Sequence, residues 1–116
     1  MLTPFERGLV AHLVADWLFQ NDWMATHKGS LRHPAAWVHG AIQFALLTLA
    51  LGWVSGLVLA VVHILVDTRG PQRAWARFFG QTMTGALGRH VQIWGDQVIH
   101  IAILALWVWL MPHLGL

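Results

Sequence analysis

Cysteine is absent from this chain, and charge is scarce. Without cysteine there are no disulfides, no thiolate metal sites and no cysteine nucleophile. Charged residues make up 10% of the 116 positions, against about 25% in an ordinary soluble domain. With 57% hydrophobic residues and a mean hydropathy of +0.57, the chain lacks the polar surface to dissolve alone. It reads as an integral membrane protein with a single transmembrane domain over residues 1–116. Acidic residues number only five, and the formal net charge is +2. The high pI therefore reflects missing acids rather than a nucleic-acid-binding surface. No Walker or dinucleotide fingerprint is present, and no serine or cysteine nucleophile stands beside a base. The amino terminus does not resemble a cleaved signal peptide, because Glu6 and Arg7 precede the apolar run and no small-x-small site follows it.

Three of the five acids recur in one arrangement: His12-x-x-x-Asp16, His63-x-x-x-Asp67 and Asp96-x-x-x-His100. A spacing of four puts both side chains on one face of a helix, about one turn apart. Each pair lies in a strongly apolar stretch, where an ionisable group costs about 2.5–3.5 kcal/mol on insertion scales and so turns inward and pairs.

Helix signals divide the chain into four long segments. Thr3, Pro4 and Glu6 form a capping-box start for a helix over 4–21. A polar connector, 21–33, leads to Pro34. From Ala35 to Val66 there are 32 residues without Asp, Glu, Lys or Arg. One helix of that length would run roughly 48 Å, too long for a ~30 Å hydrocarbon core unless steeply tilted. The Gly52-Trp53-Val54-Ser55-Gly56 stretch favours a tight turn, so the expectation is a hairpin of helices 35–51 and 56–68. Arg69, Arg73 and Arg77, interleaved with Trp75, Phe78 and Phe79, then predict a short basic segment at the membrane surface. A solvated connector fits the same composition. The last helix spans 90–111 and ends at Pro112. The fold class is thus an all-α integral membrane four-helix bundle with a basic interfacial segment between helices three and four.

Lys28, Arg32, Arg69, Arg73, Arg77 and Arg89 fall on one side of such a bundle and Arg7 on the other. The positive-inside rule makes the first side cytoplasmic and puts both termini outside, as in a bacterial inner membrane with both termini periplasmic. Helices one and three then run toward the cytoplasm and helix four away from it, which matches the reversed order of the third pair. All three aspartates lie nearer the cytoplasm and their histidines one turn deeper. His39 falls at similar depth, with Gln20 and Gln97 alongside. Gly8, Gly40, Gly52 and Gly56 suit close helix approach.

Imidazole and carboxylate together suit Zn²⁺, Mn²⁺ or Fe²⁺. The candidate ligands are His12, Asp16, His39, His63, Asp67, Asp96 and His100, with Gln20 and Gln97 supporting. Three aspartates without lysine partners would gain from a divalent cation, although Arg69 and Arg89 offer partial counter-charge. A packing network in which each Asp orients its own His is the plainer reading. Haem or chlorophyll ligation would explain the histidines but not the matched aspartates. His27, His90 and His113 lie at ends or connectors, where solvent reaches them.

The set His12-x-x-x-Asp16-Trp17-x-x-Gln20, Trp23, Lys28, His39, His63-x-x-x-Asp67 and Asp96-Gln97-x-x-His100 resembles a family of small multi-pass membrane proteins. That family is found in bacteria and phages and is catalogued as a domain of unknown function. The resemblance runs from about Leu9 to Leu106; it implies the membrane fold and marks these polar positions, but supplies no reaction. At fold level the chain is also similar to membrane-bound proteins described as metal-dependent hydrolases. Three function classes follow. One is a membrane-embedded metal site, with metal-activated water as the enzymatic chemistry. Another is an accessory subunit of a photosynthetic or respiratory complex in the bilayer. Ion conduction is the third, and the dry stretch Ile101–Leu110 argues against a through-path.

Overall fold

The computed structural model describes residues 1–116, and every regular element in it is helical. In chain order these are α1 (Pro4–Trp17), α2 (Asp22–His27), α3 (Pro34–Leu51), α4 (Trp53–Asp67), α5 (Gly70–Phe79) and α6 (Gly85–Leu110), followed by a 3₁₀ turn at Met111–Leu114.

The helix starts follow the capping chemistry. Thr3 Oγ1 accepts from Glu6 N at 3.2 Å while Thr3 N donates to Glu6 Oε2 at 2.7 Å. This reciprocal pair satisfies two backbone donors that helix geometry leaves unpaired. Several boundaries differ from the sequence reading. The first helix stops at Trp17 and not at 21. Asn21 then caps a separate short helix, accepting from Met24 N, so the expected connector is itself partly α2. The last helix begins at Gly85, five residues before 90.

Residues 35–66 form a hairpin and not one tilted helix. The turn is narrower than expected: Gly52 alone breaks the chain, at φ 95°, and α4 starts at Trp53 rather than 56. A positive φ favours glycine, because a Cβ there meets the neighbouring carbonyl. Gly52 therefore serves the turn, whereas Gly40 and Gly56 serve contact. A Cβ on Gly56 would lie 2.8 Å from Thr48 N and 3.0 Å from Phe44 O, and one on Gly40 would strike the Ile64 side chain. Across the molecule, Gly8 faces Leu104 in the same way.

The four longer helices pack in a ring, α1 beside α3, α3 beside α4, α4 beside α6 and α6 beside α1, which leaves α1 diagonal to α4. One end of the ring holds the amino terminus, the Gly52 turn and the carboxy terminus: Arg7 Nε donates to Ala50 O at 3.0 Å, and Leu116 shares a cavity with Gly52 and Trp53. The other end holds α2 and α5. An apolar cluster of Ala11, Leu47, Leu59 and Leu104 fills the first end.

Two helices are long and apolar enough to cross a membrane, Pro34–Leu51 and Gly85–Leu114; a third span results if α4 and α5, bent by 58° at their junction, count as one. Helix α1, with 14 residues, reaches only ~21 Å and α4, with 15, only ~22 Å. The expectation of four full-length spans does not hold on length.

In the segment expected at the surface, α5 carries exposed Trp75, Phe78 and Phe79 beside exposed Arg73 and Arg77. Arg69 is not part of that helix. It precedes α5 at φ 62°, the only non-glycine residue with positive φ, and its Nη1 donates to Gln92 Oε1 at 2.7 Å. Buried Gln72 fastens α5 to α6 by donating to Val91 O and Gln92 O at 3.1 and 3.0 Å.

Gly56→Ala should lower thermal stability in detergent by about 1–3 kcal/mol, the usual range for overpacking, because the new methyl group meets backbone atoms that cannot rotate away. Unfolding followed by far-ultraviolet circular dichroism measures this, and an unchanged midpoint would show that α3 and α4 can move apart.

Candidate metal centre

Every long helix delivers polar side chains to one buried cluster near the α2/α5 end of the ring. From α1 come His12 and Asp16; from α3, His39 and Gln43; from α4, His63 and Asp67; from α6, Asp96, Gln97 and His100. All nine are buried. The i,i+4 spacing within each helix is what puts both members of a pair on the inward face.

The centre of the cluster is four atoms. Asp16 Oδ1 lies 3.1 Å from His39 Nε2 and 3.4 Å from His63 Nε2. Asp67 Oδ2 lies 3.4 Å from His39 Nε2 and 3.0 Å from His63 Nε2. The two imidazole nitrogens are 2.9 Å apart. These are two triangles of donor atoms sharing the His39–His63 edge. The aspartate and histidine layers expected from the sequence have therefore merged into one group.

Amide side chains hold Asp16 in place. Gln43 Nε2 donates to Asp16 Oδ1 at 2.8 Å and Gln97 Nε2 to Asp16 Oδ2 at 2.9 Å. A carboxylate only accepts, so the Gln97 amide nitrogen faces Asp16 and its Oε1 faces His12 Nε2, 3.1 Å away. His12 Nε2 must then carry the proton. The same logic fixes His100. Its Nδ1 lies 2.8 Å from the backbone oxygen of Asp96, which can only accept. The proton is therefore on Nδ1, and Nε2 presents a lone pair 3.5 Å from Asp67 Oδ1. Asp96 Oδ2 lies 3.6 Å from His100 Nδ1.

Asp67 has no such support. Both its oxygens are buried and neither accepts a hydrogen bond. His39 Nδ1 and His100 Nε2 are likewise buried without partners. Groups this deep are ordinarily hydrogen-bonded, and here several unpaired ones surround one carboxylate. Three sets of residues offer ligand atoms within 4.8 Å of one another: His12, Asp16 and His63; His39, His63 and Asp67; and Asp67, Asp96 and His100. Together they contain all seven residues singled out as candidate ligands. Gln97 joins the cluster as expected. Gln20 lines a neighbouring cavity with Asp16 and Gln97, its Oε1 buried and unpaired.

Gln43 lies in the cluster and escaped the sequence reading, which quoted Lys28 in the family resemblance but not as a partner of an aspartate. Gln43 stands four residues after His39, the same spacing as the three acidic pairs. Lys28 is the chain's single lysine; its Nζ lies 3.8 Å from Asp67 Oδ2. The aspartates are thus not without a lysine. Arg69 turns to Gln92 and Arg89 is exposed, so neither neutralises an aspartate directly. His27, His90 and His113 are exposed, as their positions implied.

Beneath the cluster, toward the apolar end, a cavity of ≈20 Å³ is lined by His12, His63 and His100 with Leu47, Leu59 and Leu104 among its apolar walls. That is room for one water with polar partners. The ring centroids of His63 and His100 are 4.1 Å apart and those of His39 and His63 4.9 Å, which leaves no gap for a macrocycle between them.

The family described as "Protein of unknown function (DUF3307)" matches residues 5–114. The chain belongs to this family. No curated protein and no solved structure matches it. The match covers every residue of the cluster, so the DUF3307 fold and this buried His/Asp group share the same stretch of chain.

Gln97→Ala should destabilise the protein by about 1–3 kcal/mol, because Asp16 Oδ2 and the His12 Nε2 proton both lose a buried partner. Gln97→Glu should be worse, since it sets a second carboxylate against Asp16. Melting temperatures of both variants in one detergent test this; equal values for wild type and Gln97→Glu would rule out an ionised Asp16 held by this amide.

Proposed function

We propose that this chain is an integral membrane protein whose four longer helices form one transmembrane bundle around a divalent-metal centre, with metal-dependent hydrolysis as its activity. One observation carries the reading. Asp16 Oδ1, His39 Nε2, His63 Nε2 and Asp67 Oδ2 stand 2.9–3.4 Å apart across five pairings. Ligand atoms held at ~2.0–2.1 Å from a tetrahedral zinc ion are separated by roughly 3.3–3.4 Å. Two of the five pairings match that spacing, the other three are 0.2–0.5 Å shorter and would widen around an ion, and Asp67 lacks the hydrogen bonds that a carboxylate in a packing network would have.

The donor set is two nitrogens and two carboxylate oxygens, which suits Zn²⁺, Mn²⁺ or Fe²⁺. His39, His63, Asp16 and Asp67 are the proposed ligands. Gln43, Gln97 and His12 orient Asp16, as outer-shell partners do in known metal sites. A divalent ion there would polarise a substrate oxygen and supply a nucleophilic water at neutral pH. His100, with its Nε2 lone pair turned to Asp67, is the residue placed to take a proton from such a water. Asp96 holds that ring beside it.

The bilayer assignment rests on the apolar exterior, where Val10, Leu49, Leu57, Val61, Leu65, Val98 and Leu106 are exposed on the long helices. Short helices α1 and α4 are accommodated by local thinning of the bilayer at the polar end. The gathering of Lys28, Arg32, Arg69, Arg73, Arg77 and Arg89 at that end supports a cytoplasmic site in a bacterial inner membrane, with both termini periplasmic.

Elemental analysis of gently purified protein should find close to one Zn, Mn or Fe per chain. His63→Ala and Asp67→Asn should each cut bound metal about tenfold or more while the protein still inserts. Wild-type levels in both variants would sink the metal reading. The absence of cysteine makes sidedness directly testable. A single Cys at Arg77 should react with an impermeant maleimide only after spheroplasts are broken, and one at Leu116 before. The opposite pattern would invert the topology.

A further inference from the structure

Two adjacent spaces, sharing Ala25, Lys28 and Arg69 in their walls, reach the carboxylates from the α2/α5 end. One, of ≈230 Å³, reaches Asp16 and Asp96; the other, of ≈350 Å³, reaches Asp67. Both are walled by Lys28 and Arg69, and Arg73 lines the larger. Such volumes suit part of a small-molecule ligand.

The two guanidinium groups reach this cleft without an acidic partner, and Lys28 reaches it beside Asp67. Arg69 Nη1 is fixed by Gln92 Oε1 at 2.7 Å, and Gln92 Nε2 is itself anchored on Met83 O at 2.7 Å. Arg73 Nη2 donates to Thr68 O at 3.2 Å. Neither guanidinium has a carboxylate within 4.0 Å, and both keep most of their N–H groups free. The Lys28 side chain is only 11% exposed, makes no hydrogen bond, and has Asp67 at 3.8 Å as its sole ionic neighbour. The only carboxylates lining either space are Asp16, Asp67 and Asp96. Once a divalent ion sits on those, the positive charges outnumber the negative. A cleft of one sign with low-dielectric walls draws in a ligand of the other sign. Two forked guanidinium groups and an ammonium match the oxygens of a phosphate group.

We propose that this cleft recognises a phosphate-bearing anion and delivers it to the metal centre. The proposal takes its destination from the metal reading, but the cation cradle is testable without it. Arg69 offers a clean variant. It is the only non-glycine residue at positive φ, 62°, so Arg69→Gly removes the guanidinium at a position where glycine is at ease.

The test uses full-length protein in nanodiscs of phosphatidylcholine, with metal content measured on the same samples. The probes are inorganic phosphate in solution and, separately, phosphatidic acid added to the disc at low mole fraction. Wild type should bind at least one probe, and Arg69→Gly and Arg73→Gln should each weaken that binding about tenfold or more with helicity and metal content unchanged. Binding of free phosphate would assign a soluble ligand; binding of phosphatidic acid alone would assign a lipid headgroup. Binding by metal-free wild type as tight as by the metal-loaded protein would support the cleft and show that it recognises the anion without the ion's charge. No binding of either probe to metal-loaded wild type, or equal binding by both variants, would overturn the proposal and leave the metal reading standing.

Discussion

Three carboxylates buried in a largely apolar ring of helices are the constraint on which the rest of this structure depends. A charged group taken out of water is tolerated only when partners replace the water. Asp16 obtains them from Gln43 on α3 and Gln97 on α6, so one carboxylate ties three helices together. Asp67, on the helix diagonal to α1, faces His39 from α3 at 3.4 Å and the Lys28 ammonium at 3.8 Å. The helices are thus indexed to one another in rotation and height by polar contacts that a purely apolar interface would not specify. Close approach makes this feasible. Gly40 and Gly56 bring α3 and α4 together, which allows His39 and His63 to meet at 2.9 Å.

The same cluster divides the molecule into unlike halves. On the side of the chain termini, Ala11, Leu47, Leu59 and Leu104 close the ring, and the space that touches the histidines from that side is only ≈20 Å³. On the other side the ring opens into spaces more than ten times larger, lined by cations. Access is one-sided, which fits a site that receives a ligand and releases it the same way, and fits poorly with conduction along the bundle axis. The shortness of α1 and α4 belongs to this asymmetry. Both end at Asp16–Trp17 and Asp67, at the open end, so the carboxylates sit where helix gives way to polar chain.

Much of this was legible in the sequence because one rule, the i,i+4 spacing, carries both helix and site. His12/Asp16, His63/Asp67 and Asp96/His100 needed only that rule, and the reversed order of the third pair supplied its direction. The hairpin within 35–66 followed from length against bilayer thickness. Other features follow rules that local pattern does not contain. Gln43 repeats the spacing after His39, but a neutral amide in an apolar helix costs little and so attracts no notice. Lys28 reaches Asp67 only because α2 folds back over the bundle, a tertiary fact. Arg69 continues the four-residue rhythm of Arg73 and Arg77, yet the chain bends at that residue and turns its guanidinium inward to Gln92. The early stop at Trp17 reflects Asn21, whose side chain caps α2 and so competes with continuation of α1.

A packing network and a metal centre can be separated by counting protons. In a network each lone pair needs an N–H. Around Asp16 the supply suffices, since two amides donate to it. The His100 Nδ1 proton is committed to the Asp96 backbone and the His12 Nε2 proton to Gln97. For Asp67 there remain His39 and His63, with the Lys28 ammonium 3.8 Å away. Their Nε2 atoms face each other at 2.9 Å, so at most one of the two can carry a proton there without a clash. One such proton cannot serve two imidazole lone pairs and both oxygens of Asp67, and the Lys28 ammonium, at 3.8 Å, stands outside hydrogen-bond range. The deficit falls where the donor atoms converge, and a single cation bound by lone pairs resolves it without any proton. That shortage, more than the presence of histidine and aspartate as such, is what supports the proposal of a metal ion between α1, α3 and α4.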